Sequence, residues 1–172
     1  MSMEQLLVVF CLLGLLGAAV AIDVHRHRIP NYLLLTGLLL GILTRAYAGG
    51  WSGLAEGGLG LLTGFALFLP MYLLGGMAAG DVKLMGVTGF FLDPYSAMWA
   101  AFVSVIAGSL IGLAMIVLCG QLGRTVARYL LMTRARTYLA PEPGDISAQA
   151  FPYSIAILVG SLASLYWFHL VR

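Results

Sequence analysis

Asp23-Val24-His25-Arg26-His27-Arg28 separates two stretches without Asp, Glu, Lys or Arg, residues 5–22 before it and 29–44 after it. About 20 consecutive apolar residues carry a helix across a bilayer, so the cluster reads as the first surface loop between two crossings. Further uncharged runs follow at 57–80, 94–123 and 146–171. Of the 172 residues, 61% are hydrophobic and only 9% charged, against roughly 25% charged in an ordinary soluble domain. That composition excludes a nucleic-acid-binding domain, a disulfide scaffold and a disordered regulator. It leaves an all-α polytopic membrane protein, one membrane-embedded domain over 1–172 with no soluble domain.

The first run ends in Ala19-Val20-Ala21, which imitates a leader cleavage site, but Glu4 and no Lys or Arg stands ahead of it. A secretory leader needs a positive start, so helix 1, about 5–22, is read as retained. Pro30 suits the first position of a second helix, expected to run to about Ala48. Gly49-Gly50 and Gly53 make the next turn, and helix 3 covers roughly 54–75, with a kink predicted at Pro70. Gly75-Gly76-Met77-Ala78-Ala79-Gly80 reads as a loop or frayed helix end. Asp93-Pro94 divides 82–118 into helices 4 and 5, and after a polar segment at 121–149 the run 151–169 makes a sixth. Helix 4 is short, rising ~18 Å against a ~30 Å hydrocarbon core. A kinked continuation through Pro94, a thinned bilayer or a sunken Asp93 would each accommodate it.

Six crossings place both termini on one side and loops 23–30, 76–83 and 121–149 on the other. Those loops hold Arg26, Arg28, Lys83, Arg124, Arg128, Arg134 and Arg136, seven of the nine positive residues, leaving Arg45 and Arg172 for the far side. By the positive-inside rule the three loops are cytoplasmic and both termini lie outside. Within 121–149, the segment Arg124 to Tyr138 reads as an interfacial helix against anionic lipid. Tyr166 and Trp167 fit an outer aromatic belt. Gly37/Gly41, Gly53/Gly57, Gly60/Gly64 and Gly108/Gly112 recur four apart, a spacing that lets helix backbones approach closely in lipid. These pairs support a tight bundle and do not establish a dimer.

An acid at the edge of the hydrocarbon is expensive and marks a functional candidate. Asp23 closes helix 1 and Asp81 opens helix 4, so the topology brings both to one membrane depth. Each has a plain structural role available: Asp23 as an i,i+3 partner of Arg26, Asp81 as a helix N-terminal cap. Paired, they have another. Two carboxyls a few ångströms apart cannot both ionise easily, so one keeps its proton while the other acts as a base. The base draws a proton from a water attacking a peptide carbonyl, and the acid hydrogen-bonds the carbonyl oxygen as charge develops.

Asp23 to Asn31, ending in Ile29-Pro30-Asn31, together with Gly80-Asp81-Val82-Lys83-Leu84, resembles the type IV prepilin peptidase family. Its pattern is an aspartate shortly before Ile-Pro-Asn and a second in Gly-x-Gly-Asp-x-Lys. Ala78 stands where that pattern has its first Gly. The resemblance implies an aspartic endopeptidase of the bacterial inner membrane that removes the leader of prepilin-like single-span substrates at the cytoplasmic face. It implies Asp23 and Asp81 as the catalytic pair, Pro30, Asn31, Gly80 and Lys83 as supporting residues, and neither metal nor organic cofactor. Phe151-Pro152-Tyr153-Ser154-Ile155-Ala156 also resembles the family. The cysteine-bearing amino-terminal region of longer members is absent, so the chain looks like the short, peptidase-only branch that serves tight-adherence pili, without methyltransferase activity.

The remaining polar residues have plainer readings. His25 and His27, interleaved with Arg26 and Arg28, read as a basic juxtamembrane anchor rather than metal ligands, since no further donors accompany them. Lys83 has two readings, a partner for a substrate carboxylate or for Asp81, and a side chain snorkelling to lipid head groups. Asp93 beside Pro94 reads as a turn residue and is the one rival for a catalytic role. Glu142 and Asp145 are candidates for contacts to a basic leader. Cys11 and Cys119 read as small core hydrophobes. Two other functions compete, a small proton-coupled transporter or channel and a non-catalytic assembly subunit. A transporter predicts acids spread through the membrane depth, whereas these cluster at one boundary, and no inverted repeat relates the halves.

Overall fold

The computed structural model describes residues 3–120, 123, 126, 127, 131 and 152–170. Among them there is helix and no strand. Contacts divide the chain into two units, Met1–Ala107 with Pro152–Arg172, and Gly108–Phe151.

In the first unit α1 (Met3–Arg26) ends where His27 enters the left-handed region at φ 49 and returns its N–H to the Asp23 carbonyl at 2.7 Å. α2 (Asn31–Leu73) is a continuous run broken at Gly50, whose φ 56 and ψ −134 no helix contains. Glycine reaches that conformation without a Cβ penalty. A straight helix would separate positions 45 and 53 by ~12 Å, yet a Cβ on Gly53 would fall 2.5 Å from the Arg45 carbonyl oxygen. The arms 31–49 and 51–73 therefore double back against each other. The turn is tighter than the sequence suggests, because Gly50 alone leaves helical geometry and Gly53 is already a packing residue of the second arm. Pro70 keeps helical dihedrals.

α3 (Ala79–Phe91) is the most enclosed element. Every residue from Asp81 to Phe91 except Lys83 is buried, as expected of a helix that is apolar on all sides. Glycines of α2 admit it: a Cβ on Gly57 would meet the Phe90 carbonyl at 2.9 Å, one on Gly64 the Met85 carbonyl at 2.6 Å, and one on Gly60 the Gly89 and Leu92 carbonyls. Gly41 faces the Phe90 and Phe91 rings, and Gly37 the Leu15 side chain. Three of the four glycine pairs are thus contact surfaces. In the fourth pair Gly108 is buried, and nothing approaches within 4 Å of Gly112.

α3 does not continue through Pro94. Leu92 is extended (φ −95, ψ 165), and α4 (Pro94–Leu118) starts afresh with Pro94 at its first position, where its missing N–H costs nothing. α5 (Ser154–Leu165) passes into a π-helical turn (Tyr166–Leu170). It lies on the start of α4: Gly160 sits on Ser104 and the Ala100 carbonyl, and Ser164 Oγ donates to the Ser96 carbonyl at 2.8 Å.

The elements of this unit alternate in direction. Asp23, Asn31, Asp81 and Ser154, at the end of α1 and the starts of α2, α3 and α5, gather at one end. Gln5, Arg45, Glu56, Asp93 and Leu165 border a cavity of about 230 Å³ at the other. Among the described residues three helices, Met3–Arg26, Asn31–Leu73 and Pro94–Leu118, are long and apolar enough to cross a membrane, and Ser154–Phe168 is a shorter apolar helix.

In the second unit α4 finishes at Leu118, followed by a turn with Gly120 at φ 67 and an exposed Cys119. The interfacial helix expected between Arg124 and Tyr138 falls largely outside the described residues, as do Glu142 and Asp145.

Candidate active site

Asp23 and Asp81 are each only 5% exposed. Asp23 lies one turn before the end of α1 and Asp81 in the first turn of α3, close enough for Asp23 to act electrostatically on Asp81. The elements carrying them are held together around the pair. A Cβ built on Gly80 would lie 3.4 Å from the Ile29 side chain, an ordinary van der Waals distance, so residues 29 and 80 lie side by side with room for no more than a methyl group. Lys83 Nζ donates to Asn31 Oδ1 at 3.1 Å. Both halves of the sequence pattern therefore meet, the segment after α1 lying against the first turn of α3.

Each carboxyl has one anchored oxygen. Asp23 Oδ2 accepts Ser154 Oγ–H at 2.7 Å and, more weakly, the Ser154 N–H at 3.4 Å. Asp81 Oδ2 accepts the Ala78 N–H at 3.2 Å, the acid half of a capping box. So Asp81 does cap its helix, using one oxygen. Asp23 does not pair with Arg26, because Arg45–Glu56 at 3.8 Å is the ion pair found among the described residues. Ala78 adopts φ −80 and ψ 151, an extended conformation open to any residue, so alanine meets no backbone conflict in the place of glycine.

Pro30 sits one position earlier than expected, as the cap preceding α2 (φ −73, ψ 141), its carbonyl accepting Leu33 N–H at 3.1 Å. Asn31 is then the first helical residue. Lys83 is exposed and bonded to Asn31 rather than to either aspartate. His25 and His27 are exposed, with His25 Nδ1 2.9 Å from the Ala21 carbonyl.

Asp93 belongs to the opposite end. It caps α4, accepting N–H bonds from Tyr95 and Ser96 at 3.0 Å and the Ser96 hydroxyl. Burial disfavours its charged form, but these donors outweigh burial and hold the carboxyl below its ordinary range.

Tyr153 and Ser154 lie in the stretch 151–156 that resembles the family, but no local rule in the sequence gives either a role. Ser154 is fully buried against Asp23. Tyr153 lies within electrostatic reach of Asp81, its hydroxyl donating to the Ser104 carbonyl at 3.2 Å and its ring set edge-on to Phe68 at 5.7 Å. A hydroxyl at the start of an apolar helix reads as a cap, and only the fold shows its partner to be an acid of α1.

Apolar helices enclosing two interacting buried acids define a membrane protein with an acid pair at one helix-end junction. Residues 10–113, more than half of the chain, match the type IV leader peptidase family, and the chain belongs to that family. The matched stretch includes both aspartates and stops short of 151–156. No curated protein and no solved structure matches the chain.

Proposed function

We propose that this protein is an intramembrane aspartic endopeptidase that removes the leader of prepilin-like single-span substrates at the cytoplasmic face, with Asp23 and Asp81 as its catalytic pair. The reading rests on one observation: two acids remote in the chain are buried together at the junction of α1, α3 and α5. Burying one uncompensated carboxylate is costly, and two interacting ones are a feature of sites that share a proton.

The chemistry follows from the sharing. The ionised carboxyl takes a proton from water as its oxygen attacks the scissile carbonyl carbon, and the protonated carboxyl gives its proton to the carbonyl oxygen. A gem-diol results. The carboxyl that took the water proton then gives it to the amide nitrogen while the other takes a proton from a gem-diol hydroxyl; the C–N bond breaks, the leader leaves with a new carboxyl terminus, the substrate with a new amino terminus, and the pair is restored. The titration belongs to the pair and not to either residue alone.

Charge supports the sidedness. Arg26, Arg28 and Lys83 flank the aspartate end, while Arg45 shares the far end with Glu56 and Asp93. The positive-inside rule then puts the pair at the cytoplasmic surface. Six crossings are the reading that the alternating directions of α1, the two arms of α2, α3, α4 and α5 support, with the short α3 buried among its neighbours. A single-span substrate in the same bilayer presents the bond just cytoplasmic of its own helix at this depth.

The deciding experiment incubates purified protein with a candidate prepilin and locates the cut by mass spectrometry. Asp23→Asn and Asp81→Asn are expected to accumulate normally and leave the substrate intact. Normal cleavage by either variant overturns the reading.

A further inference from the structure

We propose that Ser154 is a positioning residue for Asp23, fixing one carboxylate oxygen so that the other is presented to the attacking water. The proposal rests on the peptidase reading above. It concerns a residue outside the family match, which ends at 113.

The geometry is specific. Ser154 is the first residue of α5 and lies 131 positions from Asp23, yet its hydroxyl donates to Asp23 Oδ2 at 2.7 Å, with its N–H aimed at the same oxygen at 3.4 Å. Both partners are buried, Ser154 completely. A buried hydroxyl requires a partner; Ser96 finds its own on Asp93, the cap three residues before it, and three other buried serines find theirs on the backbone. Ser104 bonds to the Ala100 carbonyl, Ser161 to the Ile157 carbonyl and Ser164 to the Ser96 carbonyl. Ser154 instead bonds to an acid of another helix, 131 positions away.

The consequence is orientation. A carboxyl with no fixed oxygen rotates about its last torsion, which is broad and roughly two-fold for aspartate. With Oδ2 held by Ser154, Oδ1 is the oxygen without a protein donor among the described residues. Asp81 is arranged alike, its Oδ2 on the Ala78 N–H and its Oδ1 without such a donor. Each acid thus keeps one oxygen on the scaffold and one for substrate and water. The donor to Asp81 is backbone and survives any substitution except proline, whereas the donor to Asp23 is a side chain and can be removed.

The test compares Ser154→Ala, Ser154→Thr and Ser154→Val with wild type in the purified full-length protein, measuring kcat and KM for a prepilin substrate alongside thermal unfolding. Threonine and valine have nearly the same shape and differ in the hydroxyl. Ser154→Ala and Ser154→Val should lose on the order of ten- to a hundredfold in kcat, the scale of a misplaced reacting group, with KM within about twofold. Ser154→Thr should recover most of it. Ser161→Ala, which removes a buried hydroxyl from the same helix, should keep wild-type kcat. Equal kcat in Ser154→Val and Ser154→Thr, a loss confined to KM, or a matching loss in Ser161→Ala overturns the proposal. Asp23→Asn separates the two levels: an active Asp23→Asn enzyme sinks the dyad itself, whereas an inactive one beside a fully active Ser154→Val sinks only the role of Ser154.

Discussion

Gly60 and Gly89 touch through their main chains: a Cβ added to either would collide with the carbonyl of the other. At this crossing α3 lies directly on the second arm of α2, with the Leu92 carbonyl 2.7 Å from the same missing Cβ of Gly60. Backbone does not move aside as a flexible side chain does.

Gly60→Ala and Gly89→Ala should therefore each destabilise the protein by about 1–3 kcal/mol, the usual range for overpacking. Gly14 and Gly17 of α1 have nothing within 4 Å of an added Cβ. Gly14→Ala and Gly17→Ala should be neutral or stabilising by up to ~1 kcal/mol through helix propensity. Unfolding in mixed detergent micelles ranks the four, and equal midpoints would contradict the crossing.

Lengthening either acid should be nearly as harmful as neutralising it. Asp23→Glu and Asp81→Glu keep the charge but displace the carboxyl by one methylene, a shift that costs on the order of 10²-fold in a positioned reaction. Single-turnover cleavage measures this, with protein abundance as control. A glutamate variant within a few-fold of wild type would show that the pair tolerates imprecise placement.

Asp93→Ala should lower stability by about 1 kcal/mol, the worth of a helix cap, and leave cleavage unchanged, since Asp93 is at the end remote from Asp23 and Asp81. Its folded carboxyl titrates below the ordinary range. The cap is therefore fully effective above the unfolded value of ~3.9 and fades as pH falls through the lower folded value. The stability gap between wild type and Asp93→Ala should be constant near neutrality and close only in acid. A gap that closes on raising the pH has the wrong sign.

Lys83 and Asn31 join two segments of the site through an exposed bond. Such contacts contribute little, so a double-mutant cycle of Lys83→Ala and Asn31→Ala should give a coupling of about 0.2–1 kcal/mol in unfolding. A coupling several times larger would mean that this bond holds the site together.

Much of this was legible in the sequence because charge is so scarce. Asp23 to Arg28 and Asp93-Pro94 mark helix ends, and the glycines about position 50 mark a reversal, each by a local rule. Packing was not legible. The burial of α3 on nearly all sides depends on which of many apolar faces meet, and leucine-rich runs do not encode that choice. Gly112 shares the spacing of Gly60/Gly64 without sharing its contacts. Both aspartates could be found because an acid beside hydrocarbon is conspicuous. The role of Ser154 could not, although 151–156 resembles the family, because serine is unremarkable at a helix start and its partner lies 131 positions away.

α3 has 13 residues, about 20 Å of helix, too little to span hydrocarbon by itself. Its place in the membrane depends on protein walls, and the glycine-lined wall of α2 precedes it in the chain. The groove is complete in the chain before the helix that fills it, so α3 and its Asp81 have a preformed glycine-lined seat to dock on as soon as they are made.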